Sequence, residues 1–287
     1  MLYAVEHALE HMIEDSYFVI VVLFLTYLAM EALEHHTESK VQHWVQRAGK
    51  LGPAIGAALG VAPQCGFSAA ASNLYAGRVI SMGTLIAIFL STSDEMLPVM
   101  LSSQVPAETI LGILLAKVLV GMTAGFVIDL ACRNRQGEQA HIHDICEREH
   151  CDCEKGIFRS ALRHTIQVGA FVLLISFALN LILELMGEDV LAAFLLDRPI
   201  LGPLVAGAVG LIPNCAASVA ITELYLGGLI SMGSMLAGLL VGAGVGVLVL
   251  FRVNHHPKEN LKIVGILYFV GVLTGIATEL ILATVQP

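Results

Sequence analysis

Apolar residues run in blocks of about 20, long enough to cross the hydrocarbon core of a bilayer as helices. In the first half of the chain the blocks are 17–35, 79–101 and 107–131; in the second they are 163–186, 229–251 and 262–283. Each half also holds a block of different texture, 52–76 and 202–226. Both are rich in Gly and Ala, and Pro63 or Pro213 breaks each near its middle. The pieces either side of a break are about 11 residues, too short to span. The pattern predicts an all-α polytopic membrane protein with three full transmembrane helices and one Pro-broken helical hairpin per half.

The two halves are copies. Residues 51–90 set over 201–240 match at 18 of 40 positions without a gap. Gly52-Pro53 lies over Gly202-Pro203, Cys65 over Cys215, Leu74-Tyr75 over Leu224-Tyr225, and Ser81-Met82-Gly83 over Ser231-Met232-Gly233. Identity fades beyond residue 90. The predicted organisation is a first repeat over 1–135, a polar linker over 136–156 and a second repeat over 157–287.

Basic residues set the expected topology, because short cytoplasmic loops collect Lys and Arg. Segments 36–50, 132–163 and 252–262, together with Arg78, hold 13 of the 15 Lys and Arg. All 13 fall on one side if both odd segments are re-entrant hairpins returning to the side they left. Both termini are then outside, near Glu6, Glu10, Glu14, Asp15, Glu188 and Asp189. The first half enters from outside and the second from inside, so the repeats are inverted. One hairpin dips in from the cytoplasm and the other from outside, and their tips approach near the midplane. Non-helical backbone at that depth is tolerated only against protein or a water-filled cavity, so the tips predict a site.

Composition narrows the function class. Hydrophobic residues make up 56%, charged residues 14%, and the mean hydropathy is +0.79. Such a chain cannot cover itself with a wetted surface, which excludes an ordinary soluble enzyme and a disordered protein. The net charge of −9 offers no basic stripe for nucleic acid. The 27 glycines with few aromatics suit closely packed transmembrane helices. A cleaved signal peptide is not expected, because acidic residues precede the first apolar block. No Walker loop, Gly-x-Ser-x-Gly elbow or His-Glu-x-x-His appears, so active transport would run on an ion gradient or on a separate subunit.

The candidate chemistry gathers at the tips, Pro63-Gln64-Cys65-Gly66 and Pro213-Asn214-Cys215-Ala216. Pro ends the descending half-helix. The ascending one begins at the tip with free N–H groups, which favour anions and lower the pKa of a Cys placed there. Gln64 and Asn214 add amides, and Ser68 and Ser218 follow one turn on. Small residues packing a tight turn are the plainer reading, weakened by duplication in inverted halves. Asp94 and Glu95 in block 79–101 and Lys117 in block 107–131 are intramembrane charges, which are costly and mark function by default. Asp94 and Lys117 lie at similar depth, roughly 12–15 Å from the turn joining their blocks, and are expected to pair for coupling or gating. Glu95 is the better ligand candidate. Glu223 and its counterpart Asn73 offer a carboxylate and an amide on equivalent scaffolds.

Two further clusters are candidates for metal. The linker carries His141, His143, Cys146, His150, Cys151 and Cys153. His-x-His and Cys-x-Cys suit zinc, copper or similar ions, although the spacing fits no standard finger. His7 and His11 share a helix face with Glu10 and Glu14, which is read first as an interfacial helix.

These features resemble a known family. They are an acidic N-terminus with His, a first span ending Met30-Glu31-Ala32-Leu33-Glu34-His35-His36, two Gly-Pro…Pro-x-Cys hairpins, a His/Cys linker and a Ser-Thr-Ser-Asp-Glu run. Over essentially its whole length the chain resembles the ten-helix heavy-metal exporters, described as arsenic efflux proteins or manganese transporters. Counting half-helices separately, the predicted elements come to five per half, in keeping with ten. The resemblance implies placement in the cytoplasmic membrane of a bacterium or archaeon.

The expected function is a secondary active transporter, not an enzyme, exporting a metal or metalloid species between the hairpin tips. Gln64, Cys65, Gly66, Ser68, Asn73, Asp94, Glu95, Asn214, Cys215, Ser218 and Glu223 form the expected substrate site. Cys65, Cys215 and Glu95 are the expected metal ligands, with cytoplasmic capture by the linker. Expected partners are the lipid bilayer, a small ion and coupling H⁺ or Na⁺; no resident cofactor is expected, and a homodimer is compatible with the sequence. The alternative is a proton- or sodium-coupled carrier of a small inorganic or organic anion. A remoter one is a membrane-embedded thiol redox enzyme using Cys65 and Cys215.

Overall fold

The computed structural model describes residues 51–61, 65–93, 96–132 and 200–285, with single helical positions at 20, 21, 24, 25, 28, 158, 162, 165, 166, 170 and 174. The N-terminal His7 and His11, most of blocks 17–35 and 163–186, the linker 136–156, Gln64, Asp94 and Glu95 lie outside the described residues.

The described helices fall in two series of five. The first holds α1 (Gly52–Gly60), α2 (Cys65–Ala76), α3 (Met82–Ser91), α4 (Met96–Ser102) and α5 (Ala107–Cys132). The second holds α6 (Leu201–Gly210), α7 (Cys215–Leu226), α8 (Met232–Val241), α9 (Val245–Val253) and α10 (Pro257–Val285). Four stretches among the described residues are long and apolar enough to cross a membrane: Met82–Ser102, Ala107–Cys132, Met232–Val253 and Pro257–Thr284. With no strand among the described residues, the protein is all-helical there, one of the two architectures that can span a membrane.

Blocks 79–101 and 229–251 are not the uninterrupted spans that hydropathy predicts. Each is two helices with a break between, at Thr92 and Ser93 onward in the first and at Gly242–Gly244 in the second. The physical causes differ. Pro98, in the first turn of α4, lacks an N–H and would interrupt the bond ladder of a continuous helix. Just before this break, Ser91 Oγ donates to the Ala87 carbonyl at 2.8 Å and Thr92 Oγ1 to that of Ile88 at 2.7 Å. In the second break Gly244 takes φ 51°, ψ −142°, which is open to glycine and little else.

The interrupted helices are central. Every residue from Gly83 to Ser91 and from Gly233 to Val241 is buried, so the breaks sit against protein, where non-helical backbone is tolerated. The long helices α5 and α10 are peripheral. They turn Leu111, Leu115, Leu119, Phe269 and Leu273 outward, an apolar face suited to lipid.

Glycines set the approach of α1, α3 and α5. A methyl at Gly52 would fall 2.3 Å from Thr84 Oγ1, and one at Gly60 2.0 Å from Ser91 Oγ, so α1 runs parallel to α3. One at Gly125 would fall 2.6 Å from the carbonyl of Gly83, and one at Gly121 2.8 Å from that of Ala87, so α5 runs antiparallel to α3. The second series repeats this with α6, α8 and α10: Gly210 meets Gly238, and Gly275 meets Gly233.

Two helices reach across to the other series. α2 packs chiefly on α9, and α7 packs on α4 as well as on α8 of its own series. α2 and α1 touch little, so they diverge from the tip as a V. Both outer ends of that V lie near the start of α3: Gly52 is beside Thr84, and Val79 and Ile80 fold back on the Leu74 carbonyl just before Ser81.

The two ends of α10 mark the two ends of the molecule. Near its start, Glu259 accepts from Tyr75 and Arg78, at the exit of α2. Near its end, Glu279 accepts from Ser231, just after α7. Those carboxylates are 20 residues apart in one helix, about 30 Å.

Candidate functional site

Bonds and close contacts tie the first tip to the α3–α4 break, and α2 to the start of α9. Ser93, in the break of α3–α4, donates its hydroxyl to the carbonyl of Val61 at the tip between α1 and α2, at 2.5 Å. Ser72 on α2 donates to the Gly246 carbonyl, in the first turn of α9, at 2.7 Å. Gly246 is so close to Ser68 that a methyl there would fall 2.6 Å from its Cβ. The tip between α6 and α7 lies beside α8, where a methyl on Gly210 would fall 2.2 Å from the Gly238 carbonyl.

Lys117 ties the halves at this level. It lies midway along α5 and is 1% exposed. Its Nζ donates to the carbonyl of Thr92, just past α3, and to that of Leu239 in the last turn of α8, the latter at 2.8 Å. Helix C-termini carry partial negative charge and unsatisfied carbonyls. One ammonium thus serves the ends of two half-helices from different repeats.

Buried polar side chains recur along the half-helices that flank the tips and breaks. Ser68, Ser72, Ser91, Thr92, Ser93, Asn214, Ser218 and Thr222 are all buried. Several satisfy themselves within their helices, as Thr222 Oγ1 does on the Ser218 carbonyl at 2.7 Å. Cys65 and Cys215 are the first residues of α2 and α7, and Gly66 beside Cys65 is buried. Asn214 immediately precedes α7, a position that favours Asn as a cap; its carbonyl accepts from Ala217 N at 3.3 Å.

Not every expected site residue lies at the tips. Asn73 is buried in the last turns of α2 and donates to the Ala69 carbonyl at 3.1 Å. Glu223 is exposed at the matching place on α7. Each is eight residues from its tip cysteine, about 12 Å along the helix. The expected Asp94–Lys117 pair and the ligand role of Glu95 involve residues outside the described ones. Among the described residues, no three His, Cys, Asp or Glu side chains group as a metal site. The linker cluster lies outside them.

Sequence reasoning missed two matched carboxylates. Asp129, near the end of α5, accepts from Ser81 Oγ at 2.7 Å and from Gly83 N at 2.9 Å. Glu279 on α10 accepts from Ser231. Ser81 and Ser231 cap α3 and α8, accepting from Thr84 N and Ser234 N. A carboxylate held at a helix N-terminus complements its dipole. The signal was the 150-residue offset from Asp129 to Glu279, hidden because the residues differ.

A third group joins the halves at one end of the molecule. Arg78 forks onto Glu259 at 3.1 and 3.3 Å, Tyr75 donates to the same carboxylate, and Asn254 Nδ2 reaches it at 3.4 Å. Arg78 has φ 57°, and its counterpart Gly228 has φ 71°. The first repeat thus places an arginine where the second uses glycine.

One family model matches the chain, described as "putative, 10TM heavy-metal exporter", over residues 4–158, 131–238 and 153–285. No curated protein and no solved structure matches.

Proposed function

We propose, for a chain that belongs to the 10TM heavy-metal exporter family, that it is a secondary active transporter whose substrate is a metal or metalloid species. The site is the meeting place of the two hairpin tips with the breaks of α3–α4 and α8–α9. The observation that carries the reading is this convergence, in particular Lys117 bonded to half-helix ends from both repeats. Discontinuous helices meeting midway are the usual way a transporter builds its binding site.

We read the halves as inverted repeats and the two tips as opposed re-entrant hairpins. Support comes from α10, whose opposite ends hold the exit of the first hairpin, through Glu259, and that of the second, through Glu279. The basic segment with Arg252, Lys258 and Lys262 lies at the Arg78 end, which makes that end cytoplasmic by the positive-inside rule.

In this mechanism Cys65 and Cys215 are soft ligands brought to the midplane at the starts of α2 and α7, assisted by Gln64, Asn214 and Glu95. Ser68 and Ser218 line the approach. Asp94 works with Lys117 in coupling to H⁺, and the linker thiols and imidazoles capture metal in the cytoplasm. Asn73 and Glu223 stand farther out and would meet substrate on entry or exit.

The test is calorimetry on purified protein with Mn²⁺, Zn²⁺, arsenite, oxyanions and carboxylates, comparing the native chain with Cys65→Ser/Cys215→Ser. Metal or arsenite binding that needs the cysteines and survives deletion of residues 134–155 is the expected result. Metal binding that survives the double replacement sinks the ligand assignment. The starts of α2 and α7 beside Lys117 favour one other reading, a small anion carrier. Anion binding indifferent to both cysteines would select it.

A further inference from the structure

We infer that Lys117 is the tethered occupant of a monovalent-cation site, its ammonium filling the place between the Thr92 and Leu239 carbonyls that a Na⁺ or K⁺ ion would otherwise take. The inference uses the transporter reading only for what such a site is for. The site itself stands on geometry.

Both acceptors are main-chain carbonyls at the C-terminal ends of half-helices, one from each repeat. In a continuous helix the Leu239 carbonyl would take the N–H of Ala243, which here lies beyond the end of α8. Thr92 is already past the end of α3. Unwound carbonyls and half-helix C-termini are the donor set that holds alkali cations inside transporters. Carbonyl oxygen is also the hard ligand that such ions prefer over sulfur or nitrogen.

The fold does not need a charge at this register. The residue 150 positions on from Lys117 is Leu267, on α10, and it is fully buried too. Leucine packs there in the second repeat, so helix packing alone does not call for the lysine. An ammonium on a four-carbon stem is a compact point charge with rotatable donors, close in chemistry to a free monovalent cation. Held on α5, it cannot leave for bulk solution as an ion would.

The consequence is that the native protein is indifferent to Na⁺ and K⁺ at this place, and that removing the amine opens a site for them. Lys117→Ala removes ammonium and stem together. Lys117→Leu fills the same space with hydrocarbon, as Leu267 does in the second repeat.

The measurement is the melting temperature of purified full-length protein, titrated with NaCl, KCl or methylammonium chloride at ionic strength held constant with choline chloride. No transported substrate is present, so the result stands apart from whether the protein moves metal. The native protein should respond to none of the three beyond choline. Lys117→Ala should melt lower in choline and recover saturably, by about 5 °C, in at least one of the three. Recovery of folded Lys117→Ala only when purified with one of these cations supports the inference equally. Lys117→Leu should melt independently of which cation is present. A Lys117→Ala protein that folds in choline and ignores all three cations overturns the inference, as does a cation response of equal size in Lys117→Leu or in the native protein.

Discussion

Ser81 and Asp129 show how single residues hold this fold. The Ser81 hydroxyl accepts from Thr84 N as the cap of α3 and donates to Asp129, which also accepts from Gly83 N. Three groups therefore share one helix start. Ser81→Ala should cost about 1 kcal/mol, the usual worth of such a cap. Asp129→Asn should cost about 1–2 kcal/mol, because it weakens charge-assisted bonds at the dipole's positive end. Thermal unfolding of the two variants and their double should give less than the sum, since they share partners. Strict additivity would contradict the shared cap. None of this was visible in the sequence. The first repeat uses aspartate and the second glutamate, so identity is lost where chemistry is kept.

Arg78 pays a backbone cost for its ion pair. Its φ of 57° disfavours any side chain with a Cβ, by roughly 1–2 kcal/mol. Arg78→Ala keeps that cost and loses the fork onto Glu259. Arg78→Gly loses the fork and relieves the backbone. The glycine variant should therefore melt above the alanine variant by an amount worth about 1 kcal/mol. Equal melting points would show that the positive φ is not strained. The fork is partly exposed, so its own contribution to stability is small.

At the scale of elements, hydropathy located the helices but not their continuity. Blocks 79–101 and 229–251 read as single spans because apolar residues continue through the breaks. Pro98, three residues into α4, and the pair Gly242 and Gly244 were the available signals. The V of α1 and α2 was legible, because Pro63 and Pro213 recur at the same offset and the pieces are too short to span. What no sequence pattern carries is the use of main-chain carbonyls. Lys117 was singled out as an intramembrane charge, yet its bonds to Thr92 and Leu239 depend on where two helices end. Cys65 and Cys215 open α2 and α7, and Asn214 immediately precedes α7.

The breaks themselves are open to test. Gly244→Ala forces a Cβ into φ 51°, ψ −142°, and should destabilise by about 1–3 kcal/mol. Pro98→Ala allows α3 and α4 to join and should change melting little while reducing transport. A Pro98→Ala protein that transports like the native one would show that the discontinuity is incidental.

At the scale of the whole molecule, duplication supplies both the architecture and the place of the site. In two series of five helices, α2 packs chiefly on α9 and α7 touches α4, so the repeats share an interior. The halves meet where α3 and α8 end, and there Lys117 bonds to a carbonyl from each. The symmetry is broken at that point by Lys117 over Leu267, and at one end of the molecule by Arg78 over Gly228. Those differences are the natural places for a transporter to set its coupling and its direction. If the repeats are inverted, single cysteines at positions 78 and 228 of an otherwise cysteine-free chain should react with a membrane-impermeant maleimide from opposite faces. Labelling of both from one face would contradict the inversion.

The most direct test of the central claim is flux through the purified protein in proteoliposomes, read by metal analysis of the vesicle lumen. The native chain should carry at least one of Mn²⁺, Zn²⁺ or arsenite down an imposed gradient, faster than vesicles without protein. Cys65→Ser/Cys215→Ser should lower that flux at least about tenfold, in line with the loss of metal ligands. Flux of a metal unchanged in the double variant, or transport confined to anions, would contradict the account.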